Sequence, residues 1–277
     1  MTKSKLQNLW LPLVVLSFLC GCASGGAMDE GAAGVMPAAE AATGADRDEV
    51  GGNGLLTPAA ILARFADAVG GEEAMRSHTS STVRGTFSIP SMGMEGELVQ
   101  YAAAPDKIVV IIEMAGMGTM NQGYNGKIGW SDNPMTGAAL LEGDLLAQMK
   151  EQSAFYGPLD FDELFPTQET VELAEFNGED TYKLRLVNES GRETFFFFSE
   201  ASGLLVGMNG IQSSEMGEAE VTTRIGDYRD FGGVLAATTN KAEMMGMEIV
   251  QTITELTWDD VADDAFEPPD SIKALLE

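Results

Sequence analysis

The sequence predicts a mainly β protein with few helices, built as a strongly curved antiparallel sheet that holds helices in its concavity. Three observations predict it. Apolar and polar residues alternate with a period of two along most of the chain beyond Leu55, tight-turn dipeptides fall between the apolar runs, and helical spacing occurs in only two places. Alternation with a single apolar face points to antiparallel pairing, because parallel strands are covered on both faces and read as unbroken apolar runs.

At the N-terminus, Lys3 and Lys5 precede an apolar run from Leu9 to Leu19, which leads into Leu19-Cys20-Gly21-Cys22. This is the layout of a secretory signal peptide. The run is about eleven residues long, whereas roughly twenty are needed to cross the hydrocarbon core. A Leu three places before a Cys resembles the lipobox of bacterial lipoproteins, so residues 1–21 are expected to be removed and Cys22 to become the lipid-bearing first residue. Cleavage there leaves Cys22 as the sole thiol, and no intramolecular disulfide can form. One acyl chain anchors only marginally, so firm attachment needs the several chains that the lipoprotein resemblance implies. Ala23 and Ser24 follow the Cys, without the Asp that favours inner-membrane retention in enteric bacteria. The expected location is the cell envelope, at the outer membrane facing the periplasm.

Residues 23–54 are rich in Ala and Gly and hold almost nothing large and apolar, so with Cys22 they are expected to form a disordered acidic tether spanning on the order of 30 Å. Residues 55–277 then fit one domain. The net charge of -27 carries no basic cluster, which gives nucleic-acid phosphates nothing to bind.

Thr57-Pro58 is an N-cap followed by Pro at the first helical position, and Ile61, Leu62, Phe65 and Val69 share one face before Gly70-Gly71, which predicts an amphipathic helix. Strand alternation begins with Val83, Phe87 and Ile89. It recurs at Ile108, Val110, Ile112 and Met114, at Tyr182, Leu184 and Leu186, at Val221, Thr223 and Ile225, and at Met245, Met247, Ile249 and Ile253. Asn125-Gly126 and Asn177-Gly178 suit tight hairpins, and residues 200–203 and Gly232-Gly233 suggest two more. Leu141, Leu145 and Met149, four apart, mark a second helix within 141–156. Roughly nine to eleven strands are expected in all.

The residues exclude much chemistry. His78 is the single His and no Cys follows Cys22, so zinc sites with several His or Cys ligands and thiol catalysis are out of reach. A serine triad would have to use His78, which falls in a polar stretch that reads as a solvated loop. Asp259, Asp260, Asp263 and Asp264 lack the loop spacing of a calcium site and read as a solvated acidic tail. Glu95 and Glu97 share a strand face, the usual wet side of a sheet, rather than forming an obvious acid–base pair. No cofactor and no metal is expected, and the chain reads as non-enzymatic.

The apolar residues are distinctive. Of sixteen Met, many fall in the expected sheet, among them Met114, Met117, Met120, Met208, Met244, Met245 and Met247. Met-rich surfaces adapt to varied apolar ligands, and Met equally fills core gaps. Four consecutive Phe, 195 to 198, make both faces of one strand apolar.

Five segments together resemble the outer-membrane lipoprotein-sorting family of LolA-like and LolB-like carriers: ILARFADAVGGEEAMR (61–76), GYNGKIGWSDNPMTGAALLEG (123–143), FNGEDTYKLRL (176–186), FFFFSEASGLLVGM (195–208) and DYRDFGGVLAATT (227–239). The resemblance covers most of residues 57–277. It implies an incomplete antiparallel β-barrel closed by helices, with an apolar cavity for acyl chains. Burying such chains gains roughly 0.8 kcal/mol per methylene. The residues expected to line that cavity are Ile108, Val110, Ile112, Met114, Trp130, Phe195, Phe197, Met245 and Met247. The expected function is a membrane-tethered protein binding lipid or lipoprotein acyl chains, in outer-membrane lipoprotein sorting. The alternative is an envelope sensor or interaction module whose sheet binds a partner protein, with the acidic surface setting partner choice.

Overall fold

A computed structural model describes residues 50–214 and 217–277. The signal peptide expected at 1–21, the lipidation expected at Cys22 and the tether up to residue 49 lie outside the described residues. Residues 50–56 already belong to the fold: Val50 bridges Leu56, and Asn53 Nδ2 donates to the Thr170 carbonyl at 3.3 Å.

The first helix, α1, spans Pro58–Ala68 and begins as its cap predicts, with Thr57 Oγ1 accepting from the Ala60 N–H at 3.3 Å. It stops at Gly70 and Gly71, which both take positive φ and so turn the chain where other residues would be strained. A one-turn helix α2, Glu72–Arg76, follows.

Six strands then run as a meander: β1 Ser80–Ile89, β2 Met94–Ala103, β3 Lys107–Met114, β4 Gly118–Asn125, β5 Gly129–Asn133 and β6 Gly137–Leu140. Helices α3, Gly143–Ser153, and α4, Phe161–Leu164, interrupt them. Seven more strands complete a second meander: β7 Thr167–Phe176, β8 Glu179–Val187, β9 Glu193–Ser199, β10 Leu205–Ser214, β11 Gly217–Asp230, β12 Leu235–Met244 and β13 Met247–Trp258. The chain ends in a 3-10 turn at Asp263–Phe266 and helix α5, Asp270–Lys273.

All thirteen strands form one antiparallel sheet in the order β6-β5-β4-β3-β2-β1-β13-β12-β11-β10-β9-β8-β7. The pairing of β1 with β13 joins the two meanders, and the sheet stays open, with β6 and β7 as its edges. Because β6 and β7 are consecutive in sequence but lie at opposite edges, the α3–α4 segment must cross the sheet from one edge to the other. The topology therefore places these helices over one face.

That inner face holds the two large apolar clusters. One gathers Phe87, Ile108, Val110, Ile112, Met244 and Ile253 around Leu141 and Met149 of the α3 segment. The other gathers Leu184, Leu186, Phe196, Phe198 and Met208 around Ile61 and Phe65 of α1 and Phe161 and Phe165 of the α4 segment. The outer face has a smaller cluster in which Val109 and Trp130 pack against Phe266 and Ile272 of the C-terminal segment.

The strand count exceeds the expected nine to eleven because β4 (GTMNQGYN) and β7 (TQETVELAEF) carry too few large apolar residues to show alternation. They pair because their neighbours supply complementary edges, and the alternation signal reports burial rather than pairing.

Candidate functional site

The sheet order leaves room for a ligand where α3 and α4 lie on strands β9 to β11. A slot opens there, with inner-face residues Thr194, Phe196, Met208 and Val221 on one wall and Gln152, Ala154, Leu164 and Phe165 on the other. Its cavity volume is only about 60 Å³. Small-molecule sites run to roughly 300–1,000 Å³. The slot is therefore a narrow apolar seam in this conformation, and admitting a chain requires the helices to lift.

Apolar contacts of Leu141, Met149, Phe161 and Phe165 seat the helices on the sheet, and polar side chains fasten α3 at the rim of the slot. Glu151 Oε2 of α3 meets Arg192 NH2 at 2.6 Å and accepts from Asn188 Nδ2 at 2.7 Å. Arg192 NH1 also donates to Gln148 Oε1 at 2.8 Å, and Gln148 Oε1 accepts from the Ser213 N–H at 3.3 Å. The Arg192 and Glu151 side chains are only 20% and 22% exposed, so the pair works at a lower local dielectric than a surface bridge does. These four side chains fasten α3 to the β8–β9 turn and to β10, beside the slot opening.

The expected cavity residues separate by strand. Ile108, Val110, Ile112 and Met114 all point to the inner face and are buried in the larger cluster. Met247 points the same way, since it pairs with the buried Met244, and it stays half-buried at the end of its strand. Four residues depart from the expectation. Trp130 is fully buried on the outer face; the inner positions of β5 begin at Gly129, where an added Cβ would stand 2.8 Å from Leu146 Cδ1 of α3, so the helix occupies that space. Phe195 and Phe197 also face outward. Phe197 stacks on Phe176 with centroids 4.2 Å apart, and Lys183 Nζ lies 4.8 Å from the Phe195 ring centre. The inner positions of that strand are Phe196 and Phe198, drawn there by the rings of Phe65, Phe161 and Phe165. Met245 sits in a two-residue turn at φ 52 with 68% of its surface exposed.

Two polar expectations change as well. His78 is not a solvated loop residue: its ring stacks on Trp258 at 5.0 Å and 12°, and its Nδ1 meets Asp259. Asp259 and Asp260 are not a loose tail. Asp259 Oδ1 accepts from the Thr79 and Ser80 N–H groups at 2.8 and 3.2 Å, and Asp260 accepts from Thr82 and Thr257 Oγ1 at 3.0 and 2.7 Å, so both tie the end of β13 to the start of β1. Burial pushes the Asp259 carboxyl up, and the hydrogen bond from Thr79, the charge of His78 and the bond from Ser80 together bring it below its ordinary value. Glu95 and Glu97 are exposed on the outer face. Among the described residues, no three His, Cys, Asp or Glu side chains converge as metal ligands, and no helix is long and apolar enough to cross a membrane.

The slot residues Phe196, Leu164, Phe165 and Val221 are not among those the sequence predicted to line the cavity. Phe196 was concealed by its run of four identical residues, in which either parity fits. Its pairing with Leu184 on β8 fixes the parity, since Leu184 and Leu186 already alternate in a conventional strand.

No family model matches the sequence, and no curated protein matches it. Among solved structures, a LolA superfamily protein from Nitrosomonas europaea aligns with a TM-score of 0.53 at 15% identity, covering 77% of this chain and 99% of that one. A DUF1329 family protein from Desulfovibrio piger aligns with a TM-score of 0.52 at 12% identity, covering 75% and 94%. At these low identities the likeness is one of fold, and the open thirteen-stranded antiparallel fold of this chain is LolA-like.

Proposed function

We propose that this protein is a non-enzymatic, lipid-anchored envelope protein that takes up acyl chains of lipids or lipoproteins between its helices and the inner face of its sheet. The observation that carries the reading is the seam itself: an apolar slot bounded by Phe165, Phe196, Met208 and Val221, whose cover is fastened by a few polar side chains at its rim. Lifting the helices breaks this polar rim and also parts the apolar contacts of Met149, Phe161 and Phe165 with the sheet. Acyl chains entering the seam replace the contacts that the lifted helices lose. The LolA-like fold agrees with this reading, as does the lipobox resemblance at Cys22, and Ala23 and Ser24 after it favour anchoring at the outer membrane.

The experiment is native mass spectrometry with lipid extraction on the full-length protein purified from a bacterial envelope. Stoichiometric co-purified lipid, or uptake of an added fatty acid, is the expected result. Ala154→Phe, which fills the slot from the end of α3, should abolish it while leaving the melting transition in place. A protein that neither carries nor takes up acyl chains sinks the proposal.

A second reading has one observation behind it. The edge strand β7 exposes Val171 and Leu173, at 38% and 48%, on the side where it pairs with no further strand, an arrangement that suits strand addition by a partner protein. Capture of an envelope protein that is lost on Leu173→Lys would favour it.

A further inference from the structure

Among the mainly apolar residues of the inner face, two primary amides stand side by side. Asn240 on β12 and Gln251 on β13 are directly paired and only 7% and 6% exposed. Residues opposite each other in this way set their Cβ atoms about 4.5–5.5 Å apart on one face. Both point inward, because Asn240 alternates in step with the buried Ala242 and Met244, and Gln251 with the buried Ile249 and Ile253. The register surrounds the pair closely: Ile225 lies beside Asn240 and Phe87 beside Gln251, Thr238 and Ala242 flank it along β12, and Ile249 and Ile253 flank it along β13.

Gln251 Nε2 is buried there without a hydrogen-bond partner. Asn240 Oδ1, adjacent as it is, does not accept from it. Of the six surrounding side chains five are hydrocarbon, and the sixth, Thr238, already donates through Oγ1 to the Asp227 carbonyl at 2.6 Å. Buried amides in folded proteins are nearly always satisfied, and one left unsatisfied lowers stability. Met would fill the same space without that cost. The donor is thus matched to an acceptor that the chain itself does not supply.

The pair is close to the slot. Thr223 of β11 lines the slot and stands opposite Ala242, which makes Asn240 its diagonal neighbour; Gln251 is one strand further, roughly 10 Å across the sheet from β11. We propose that Gln251, with Asn240 beside it, is the polar end of the acyl-chain site, where Gln251 Nε2 donates to the carbonyl oxygen of the ester or amide linkage that carries the chain. This assignment rests on the reading of the slot as an acyl-chain site. The acceptor has to be neutral, since none of the six neighbours is charged and a carboxylate would be buried there without a cation. The site therefore selects acyl chains in ester or amide linkage, as in glycerolipids and N-acylated proteins, over free fatty acids.

The test is displacement of a fluorescent fatty acid from the full-length protein by lauric acid, methyl laurate and N-methyllauramide, each delivered from cyclodextrin at pH 8, where the acid is ionised. The ester and the amide are expected to bind about tenfold or more tightly than the acid. The amide adds an N–H that Asn240 Oδ1 can accept, so an amide ahead of the ester assigns an N-acyl ligand and the reverse a glycerolipid. Infrared spectra of methyl laurate labelled with ¹³C at its carbonyl should show the stretch lowered on binding, as in a hydrogen-bonded ester. Gln251→Met, which conserves volume, should return the stretch to that of an unbonded ester and weaken ester binding about tenfold, while the melting temperature holds or rises because no partner is lost. A lower melting temperature with unchanged ester affinity would mark Gln251 as structural and overturn the proposal. Equal affinities for acid and ester, or an unshifted carbonyl stretch in the unaltered protein, overturn it as well and need no variant. A protein that binds neither the fluorescent probe nor any of the three chains loses the acyl-chain reading itself, and this assignment with it.

Discussion

The indole of Trp130 lies against Gly123 of the neighbouring strand: a Cβ added at Gly123 would stand 2.6 Å from the ring carbon Cζ2 and 2.8 Å from the Ile108 carbonyl oxygen. The ring takes the place of the missing side chain and its Nε1 donates to Asn121 Oδ1 at 2.8 Å. Trp130→Ala is expected to cost about 3–5 kcal/mol by opening a cavity on the outer face. Gly123→Ala is expected to cost about 1–3 kcal/mol by overpacking. Urea unfolding of both variants checks this, and neither should alter acyl-chain uptake, because both residues are on the face away from the slot.

Arg192 joins the β8–β9 turn to Glu151 and Gln148 of α3. Arg192→Met removes the latch while keeping the length of the side chain. Its pair is partly buried, so the expected loss is about 1–3 kcal/mol, between the values for exposed and fully buried bridges. Amide hydrogen exchange in α3 should accelerate, and uptake of a fluorescent fatty acid should become faster. Slower or unchanged uptake together with faster exchange would show that lifting α3 is not the gating step.

Tyr228 is half-buried, and its hydroxyl donates to the carbonyl of the buried Leu205 at 2.7 Å. Desolvation drives its pKa well above the ordinary tyrosine value. A raised pKa means full stability below the unfolded-state value near 10 and falling stability as pH rises past it, because only the unfolded chain releases the proton there. Phenolate absorbance should show this tyrosine ionising only on alkaline unfolding. Tyr228→Phe should remove that signal and cost about 1–2 kcal/mol, since a buried carbonyl loses its partner.

Asp259 is held below its ordinary pKa, so its contribution is present at neutral pH and is lost as pH falls through its folded value. Asp259→Asn keeps a residue that tolerates the φ of 55 at this position but removes the charge facing His78. The variant should be less stable than the parent at pH 7, with the gap closing in acid. Melting curves between pH 7 and pH 3 test the sign of that trend.

Much of this fold was legible from local pattern. The Thr57-Pro58 start and Gly70-Gly71 stop of α1, the Asn125-Gly126 and Asn177-Gly178 turns, and the single inner face of β3 all follow from backbone preference and period, which neighbouring residues alone determine. Where the pattern was weak, pairing was dictated by neighbouring strands, β3 and β5 for β4 and β8 for the edge strand β7. Facing was lost where the sequence is degenerate. Phe195 to Phe198 fit either parity, and Trp130 reads as core whichever way it points, until α3 closes the inner side of Gly129.

Alternation, capping and turn chemistry in the sequence by themselves determined the class of the protein, its antiparallel sheet, its main helices and the apolar residues available for burial, because each depends on interactions within a few residues. Only the tertiary structure decided which face those residues share. Joining β1 to β13 leaves β6 and β7 at opposite edges, and the segment between them has to cross the inner face. That crossing is a long-range constraint. It sets the slot against Phe196 rather than Phe195 and turns Trp130 outward.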